Sequence, residues 1–270
     1  MVVQHNMSAL NANRQLGVTV GTLSKSTEKL SSGYRVNRAA DDAAGLSISE
    51  KMRSQIKGLN KASANAQDGI SLVQTAEGAL NEAHSILQRM NELATQAAND
   101  TNTDVDRDAI QKEVDALGSE LNRIASTTQF NTMNLLDGTF AAKSLQVGSL
   151  EGQKIGLSIG TMSGDALSVT SLVVSSFAKA GSAMTLVQKA IDTISTQRSA
   201  LGAIQNRLEH TVKNLDNVAE NTQAAESRIR DTDMAAEMVQ YSATNIIQQA
   251  GQSMLSQANS QTQGVLSLLQ

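Results

Sequence analysis

The chain has 270 residues, no cysteine, no proline and 2 % aromatic residues, and its net charge at pH 7 is −4. The lack of cysteine excludes disulfides, thiol catalysis and thiolate metal sites, and the interspersed charges leave no basic face for nucleic acid. With so few rings, the core has to be filled by Ala, Leu, Ile, Val and Met at helical spacing, which is typical of a thin helical bundle.

Two kinds of targeting segment are not found in the sequence. No run of about 18 apolar residues occurs, so we expect no membrane insertion. The segment from Met1 to Leu16 is polar and has no hydrophobic stretch followed by a small-residue cleavage site, so we expect no cleaved signal peptide. If the protein leaves the cell, it needs another export route.

The first helix is predicted from Met7 to Leu30, and its polar face carries Ser, Thr, Asn and Gln rather than charges. A helix with so little charge tends to be covered by neighbours. Its apolar stripe, at alternating spacings of four and three, consists of Leu16, Val20, Leu23, Thr27 and Leu30.

A short polar loop follows this helix. Gly33 is predicted to end the helix, and Asp41 and Asp42 are predicted to cap a second helix that starts near Ala43. Taken alone, this loop has the properties of a connector.

The second helix is predicted from about Leu46 to Ala98, with possible interruptions at Gly58, Gly69 and Gly78. Its stripe consists of Val73, Ala76, Leu80, Ala83, Leu87, Met90, Ala94 and Ala97. After a cap and turn cluster at 99–104, a third helix is predicted with Ile110, Val114, Leu117, Leu121 and Ile124 on one face.

The pattern then changes from helical to alternating. Residues 130–138 are irregular, and polar–apolar alternation at 144–147 and 154–159 predicts a β-hairpin. Residues 161–182 are rich in Ser and Gly and are predicted to be a connection. The unbroken three–four spacing from Met184 to Thr222 then predicts a rod about 60 Å long.

The last helix ends in a segment without charge, because no Lys, Arg, Asp or Glu follows Glu237. We predict that Ile247, Gly251, Met254 and Ala258 line one side of this helix. Its natural mate is the lightly charged first helix. The predicted fold is therefore mainly α: an elongated antiparallel helical bundle or coiled coil, with paired N- and C-terminal helices and a small β-hairpin.

Motifs at both ends of the chain resemble bacterial flagellin. They are Asn6–Ala12, Leu30–Leu46, Thr128–Asn131, Ser227–Ile229 with Asp231, Asp233, Ala235 and Glu237, then Gln248–Gly251 and Val265–Leu269. The resemblance covers about residues 1–160 and 184–270. It departs from the family pattern at 261–264, where the family often has Pro. Because 160–182 is too short for the variable outer domain of many flagellins, the chain resembles a short form.

The resemblance implies a structural subunit that polymerises into the flagellar filament for motility, without catalysis, cofactor or metal. Residues 1–44 and 235–270 would form a terminal coiled-coil domain in the filament core, and 45–234 would form a rod domain with the hairpin at about 144–160. The subunit would be extracellular, exported by the flagellar secretion apparatus. Its implied partners are further copies, an export chaperone on the C-terminal tail, the filament cap and hook-junction proteins, and the flagellin-sensing Toll-like receptor of animal hosts.

We expect the terminal helices to be the polymerisation surface, since low charge on all sides indicates burial by several neighbours. The alternative is an intramolecular coiled coil without a polymer. The candidate residues are Leu10, Leu16, Val20, Leu23, Leu30, Ile247, Met254, Val265, Leu266, Leu268 and Leu269.

The resemblance also assigns contacts outside these helices. Loop residues that would contact neighbouring subunits are Arg35, Asn37, Arg38, Asp41 and Asp42, although the same charges would also suit a solvated loop. The segment from Leu87 to Ala94 resembles the receptor-recognition segment of the family, and the contact residues would be Gln88, Arg89, Leu93 and Glu113. The family often has a second Arg where this chain has Asn91. Without the resemblance, Arg89 and Glu92 are an ordinary exposed pair.

Other functions find little support in the sequence. His5, His84 and His210 are far apart, and no phosphate-binding loop or nucleophile motif is present. The alternatives to a filament subunit are a hook–filament junction protein, against which the complete loop motif argues, and an intracellular coiled-coil scaffold or enzyme.

Overall fold

The computed structural model describes residues 6–267, except the side chains of 262, 263 and 265–267. The described part is mainly helical, as predicted. The helices are α1 Met7–Ser32, α2 Ala43–Ala97, α3 Asp104–Thr127, α4 Phe177–Arg230 and α5 Met234–Ser267. The short strands are β1 Gln129–Phe130, β2 Met133–Asn134, β3 Lys143–Gln146 and β4 Lys154–Leu157. None of the described helices has an apolar stretch long enough to cross a bilayer.

The chain divides into two compact units. The terminal unit comprises Met1–Ile56 and Glu220–Gln270, and the central unit comprises Lys57–Ala219. In the terminal unit α1 and α5 pair along their lengths, so the predicted pairing of the two end helices is confirmed. The domain boundaries expected from the sequence, after residues 44 and 234, separate a filament-core domain from a rod domain in the polymer. These boundaries stay a prediction.

The central unit has one large apolar core, which α2, α3 and α4 build together, and two smaller apolar clusters. Every residue of the stripe predicted for α2 between Val73 and Ala97 is buried. On α4, a buried aliphatic side chain recurs every seventh residue, at Val187, Ile194, Leu201, Leu208 and Leu215. This heptad spacing keeps one face of a long helix on the core.

Helix α2 runs without a break, so the predicted interruptions at its glycines are wrong. Two of the glycines instead leave room for the β-hairpin. A Cβ at Gly69 would lie 2.5 Å from Leu145 Cδ1, and a Cβ at Gly58 would lie 2.8 Å from Ser149 Cβ. The need for close packing, rather than a helix end, accounts for these glycines.

The predicted β-hairpin is confirmed, with β3 and β4 antiparallel and Leu145 opposite Ile155. Ile155 packs with Ala66 and Leu208 in a small cluster beside the main core. Asn65 Nδ2 also donates to the carbonyl of Gln146 at 3.2 Å. The segment expected to be irregular contains a second, tighter hairpin of β1 and β2.

The segment expected to be a loose connection, 161–182, is largely packed. Its apolar side chains at 162, 167, 169, 172 and 174 are buried in the core. Gln111 on α3 clamps it: Nε2 donates to the carbonyl of Leu172 at 2.7 Å, and Oε1 accepts the N–H of Val174 at 2.8 Å. Helix α4 also starts earlier than predicted, at Phe177, because Ser176 caps it through its carbonyl and hydroxyl oxygens.

Replacing Gln111 with Ala should lower the free energy of unfolding of the central unit by about 1–3 kcal/mol. The reason is that the Leu172 carbonyl and the Val174 N–H each lose the hydrogen bond to Gln111. Urea unfolding monitored by helical circular dichroism measures this. Lys112→Ala, an exposed neighbour on the same helix, serves as the control and should change the midpoint little. Equal midpoints for the two variants would contradict the role of the clamp.

Candidate assembly surface

The seam between α1 and α5 consists mostly of small and polar side chains. The antiparallel register is fixed at three points. Asn6 Nδ2 donates to the carbonyl of Ala258 at 2.8 Å, Lys29 Nζ lies 3.6 Å from Glu237 Oε2, and a Cβ at Gly251 would lie 3.3 Å from Leu16 Cδ1. The less exposed positions are Ala9, Ala12, Leu16, Thr19, Leu23, Ser26 and Leu30 on α1, and Tyr241, Thr244, Gln248, Gly251, Leu255 and Ala258 on α5.

The stripes predicted for these helices are therefore partly wrong. On α1, Thr19 and Ser26 occupy the seam in place of Val20 and Thr27, which are exposed. On α5, Gly251 and Ala258 face the seam as predicted, whereas Ile247 and Met254 are exposed. Small side chains let the two backbones approach closely. The size of a side chain, as well as its apolar character, therefore decides which positions face the partner helix.

The apolar side chains left over form the outer face of the terminal unit. We define the outer face as Met7, Leu10, Val18 and Val20 on α1 with Met238, Val239, Ile246, Ile247 and Met254 on α5, all of them exposed. By contrast, Val36 is the only hydrophobic residue classed as buried in the described part of this unit. The terminal unit thus has almost no core of its own and presents its large apolar side chains to solvent.

The predicted polymerisation residues fall into three groups. Leu10, Val20, Ile247 and Met254 belong to the outer face. The leucines at 16, 23 and 30 lie along the seam with α5. Leu268 and Leu269 lie outside the described residues, as do the side chains of Val265 and Leu266.

The loop after α1 is tied to the connection between α4 and α5. Arg35 donates from Nη2 to the carbonyls of Ile229 at 2.6 Å and Arg228 at 3.3 Å, which caps the end of α4. The Arg35 N–H donates to the Arg230 carbonyl at 2.7 Å, and the Arg230 guanidinium lies 4.4 Å from the centre of the Tyr34 ring. The loop motif and the motif beginning at Ser227 therefore form one joint.

The remaining polar residues of the loop also have partners within the chain. Asn37 Nδ2 donates to Ser32 Oγ at 2.8 Å, and Arg38 Nε donates to Glu28 Oε1 at 2.9 Å. Asp42 caps α2 by accepting the N–H of Gly45 at 2.8 Å. All five predicted contact residues, Asp41 included, are thus engaged inside one copy. Arg35, Arg38, Asp41 and Asp42 nevertheless remain exposed, and the Arg38 side chain is 73 % exposed despite its pair with Glu28.

Asp41 holds the turn of the loop by accepting the N–H groups of Arg38 at 3.0 Å and Asn37 at 3.3 Å. The N–H of Arg38 is the largest cause that holds the pKa of Asp41 below its ordinary value of 3.8, with Asn37 and the charges of Lys25 and Arg38 adding to it. Charge-assisted acceptance of backbone N–H groups favours the ionised carboxylate.

The segment that resembles a receptor site carries an exposed ion cluster. Arg89 donates from Nε and Nη2 to Glu113 Oε1 at 3.0 and 2.8 Å, and from Nη1 to Glu92 Oε2 at 3.1 Å. Gln88 Nε2 lies 3.1 Å from His84 Nε2. Leu93, however, is 1 % exposed and belongs to the core of the central unit. Its expected place as a surface contact is corrected: it supports the helix beneath Arg89.

The histidines do not form a site. His5 lies outside the described residues, and His84 and His210 lie at separate points of α2 and α4. Within residues 6–267, no group of three His, Asp or Glu side chains is arranged to hold a metal ion.

Comparison with known proteins agrees with this arrangement. Residues 3–141 match the family model of the bacterial flagellin N-terminal helical region, and residues 184–269 match that of the C-terminal helical region. The flagellin of Halalkalibacterium halodurans is 54 % identical over 271 residues, with both chains covered in full. The flagellar filament 31.3 kDa core protein of Treponema maltophilum is 50 % identical over 286 residues, again with full coverage of both.

A solved structure shares the fold. The crystal structure of Bacillus cereus flagellin is 34 % identical, with a TM-score of 0.52, and the match covers 60 % of this chain and 94 % of that chain. Paired end helices, a long helical core and a small hairpin define a structural protein of the helical filament-forming class. The chain belongs to the bacterial flagellin family. It is a short form without a large outer domain.

Replacing Asp41 with Asn should lower the stability of the loop joint at pH 7, since the ionised carboxylate accepts two N–H groups there. Because the folded pKa is depressed, this contribution is present above about pH 3.8 and is lost as the pH falls through the folded pKa. Thermal unfolding of both proteins at pH 7 and at about pH 3 should show a difference that shrinks in acid. Asp42→Asn is the control, because Asn caps a helix about as well as Asp; a pH-independent loss in Asp41→Asn would contradict this assignment.

Proposed function

We propose that this flagellin polymerises through the outer face of its terminal unit and so builds the flagellar filament, whose role in motility is mechanical. As a flagellin, the chain is a structural subunit of that filament. The near absence of buried hydrophobic residues from the terminal unit carries the proposal. Family membership favours this function over a junction protein, an intracellular scaffold or an enzyme.

Burial of the outer face would supply the stability that the isolated terminal unit lacks. Removing apolar surface from water contributes about 25 cal/mol per Å², before the cost of ordering is subtracted. The outer face includes residues from both α1 and α5, and its members differ in their position around each helix. Coverage by several neighbouring copies therefore suits it better than one partner does. In this arrangement the domain of residues 1–44 and 235–270 lies in the filament core, and residues 45–234 lie outside it.

Before assembly, the exposed apolar side chains of the outer face need protection from solvent. The exposed apolar side chains of α5, in a segment without charge after Glu237, favour a chaperone that covers the C-terminal tail until export. We propose export through the flagellar secretion apparatus, and contacts with the filament cap and hook-junction proteins at the ends of the polymer. Among the loop residues, we propose that Arg38, whose side chain is 73 % exposed, contacts a neighbouring subunit.

Replacing Ile247 with Lys should abolish filament growth, because a charge on the outer face would have to be buried between copies. Helical content of the unassembled protein should stay the same, since Ile247 is exposed in a single copy. Electron microscopy of purified protein after seeding measures growth. Val105→Lys, at an exposed apolar residue of the central unit, is the matched control. Filaments of normal length from Ile247→Lys would overturn the role of the outer face.

A second function is proposed for the cluster around Arg89. An exposed Arg flanked by two carboxylates is a favoured anchor in protein interfaces, and we propose that Gln88, Arg89 and Glu113 contact the flagellin-sensing Toll-like receptor of animal hosts. Leu93 takes part indirectly, because its burial fixes the helix that carries Arg89.

Replacing Arg89 with Ala should weaken receptor activation about tenfold, the size expected for loss of one interface anchor. Cells that report receptor activation, treated with unassembled protein, provide the measurement. Arg123→Ala is the matched control, because Arg123 makes a similar exposed pair with Glu120. Asn91→Arg, which restores a residue frequent in the family, should strengthen the response. An unchanged response to Arg89→Ala would argue against this site.

A further inference from the structure

The methionines of this chain are divided unevenly between core and solvent. In the central unit, Met90 and Met162 are buried, and Met184 packs against the main core. Within residues 6–267, Met133 is the only exposed methionine of that unit. The exposed methionines of the terminal unit, which we call the terminal methionines, are Met7, Met234, Met238 and Met254. The unit that almost lacks a core thus carries most of the accessible thioethers.

Two of the terminal methionines lie at the same end of the paired helices. The bond from Asn6 Nδ2 to the Ala258 carbonyl places the start of α1, with Met7, level with Ala258, and Met254 lies one turn before Ala258. Met254 also follows Ile247 by seven residues, so the two side chains share one side of α5. A change at Met254 therefore acts on the same strip of the outer face as a change at Ile247.

The other two terminal methionines lie near the opposite end of this pair. Lys29 and Glu237 form an ion pair there, and Met234 and Met238 lie on either side of Glu237 along the chain. Because they are four residues apart, Met234 and Met238 are neighbours on the helix surface. Together the terminal methionines cover both ends of the surface that is proposed to be buried in the polymer.

The thioether of methionine is the most readily oxidised side-chain group of this chain, because the sequence contains neither cysteine nor tryptophan. A lone pair of the sulfur attacks one oxygen of hydrogen peroxide, an S–O bond forms and the O–O bond breaks. The sulfur is oxidised by two electrons and the peroxide is reduced. The departing hydroxide takes the proton from the transferred oxygen and becomes water. The product, methionine sulfoxide, is a polar side chain that accepts hydrogen bonds.

We propose that the terminal methionines are a reversible modification site, at which peroxide converts unassembled subunits into a form that does not polymerise. In a single copy the sulfoxides face water, so the fold keeps its stability. Between copies, a sulfoxide oxygen would be buried without a hydrogen-bond donor, which opposes association. The inference rests on the proposed function and adds a chemical control of it.

The modification is reversible because methionine sulfoxide reductases return the sulfoxide to the thioether. Two thiols of the reductant are oxidised to a disulfide in this step, and the oxygen leaves as water. Assembled copies should be protected, since the contacts between copies cover the same sulfur atoms.

Peptide mass spectrometry of protein treated briefly with hydrogen peroxide tests the site itself. In unassembled protein, each terminal methionine should gain one oxygen at least about fivefold faster than Met90 and Met162, because the reaction requires access to the sulfur. In filaments treated in the same way, oxidation of Met7 and Met254 should be slower than in the unassembled protein. Equal rates at buried and terminal methionines, or equal rates in filaments and free protein, would overturn the assignment.

Seeded assembly tests the consequence of the modification. After treatment and removal of the peroxide with catalase, the critical concentration should rise about tenfold, as expected for burial of a polar group without a partner. The combined variant Met7→Leu, Met234→Leu, Met238→Leu and Met254→Leu should assemble equally well before and after treatment. Met133→Leu is the matched control and should be inhibited as much as the wild type. Methionine sulfoxide reductases with dithiothreitol should return the treated wild type to its original value.

The outcomes separate this inference from the proposed function. An oxidised wild type with an unchanged critical concentration, or a combined variant inhibited as strongly as the wild type, would overturn the inference alone. If the combined variant does not assemble even before treatment, the reductase experiment decides, and a treated wild type that does not recover contradicts the inference. Wild-type protein that forms no filaments before any treatment would overturn the proposed function, and this inference with it.

Discussion

The organising constraint of this protein is that its terminal unit buries almost none of its own apolar side chains. Two long helices meet along a seam of mostly small and polar side chains with a few leucines, and only Val36 reaches full burial among the hydrophobic residues described there. The large apolar side chains of the outer face, among them Leu10 and Met254, are exposed. Hydrophobic burial is the main favourable term in folding, so a unit built in this way gains little hydrophobic stabilisation within a single copy.

The central unit differs from the terminal unit, because it buries a large apolar core within a single copy. Its main core is built by three helices, and the segment that links the hairpin to α4 is anchored by Gln111. The loop joint at Arg35 is similarly self-contained: capping of α4, acceptance by Asp41 and the stacking of Arg230 on Tyr34 all occur within one copy. The division between a unit with its own core and a unit almost without one is compatible with the role of a filament subunit.

Much of this architecture could be predicted from the sequence, because long helices carry strong periodic signals. The stripe from Val73 to Ala97 was correct throughout. The prediction was wrong on α1, where two helical spacings are possible between Leu16 and Leu23. Thr19 and Val20 both fit a spacing of three and four residues between these leucines. The close approach of the two backbones selects the smaller Thr19 for the seam and leaves Val20 exposed. Leu93 lies three residues after Met90 and four before Ala97, so the helical spacing is compatible with its burial as well as with that of Ala94. The packing of residues 161–176, by contrast, depends on distant partners such as Gln111, and no local pattern indicates it.

The placement of the tyrosines allows the terminal unit to be observed separately by fluorescence. The chain has two tyrosines and no tryptophan. Tyr34 stacks under Arg230 in the loop joint, and Tyr241 lies on the seam with α1, so both belong to the terminal unit. Tyrosine fluorescence from this protein therefore originates in the terminal unit, because the central unit contains phenylalanine but neither tyrosine nor tryptophan. Tyrosine fluorescence can therefore report changes in the environment of the terminal unit without an attached label.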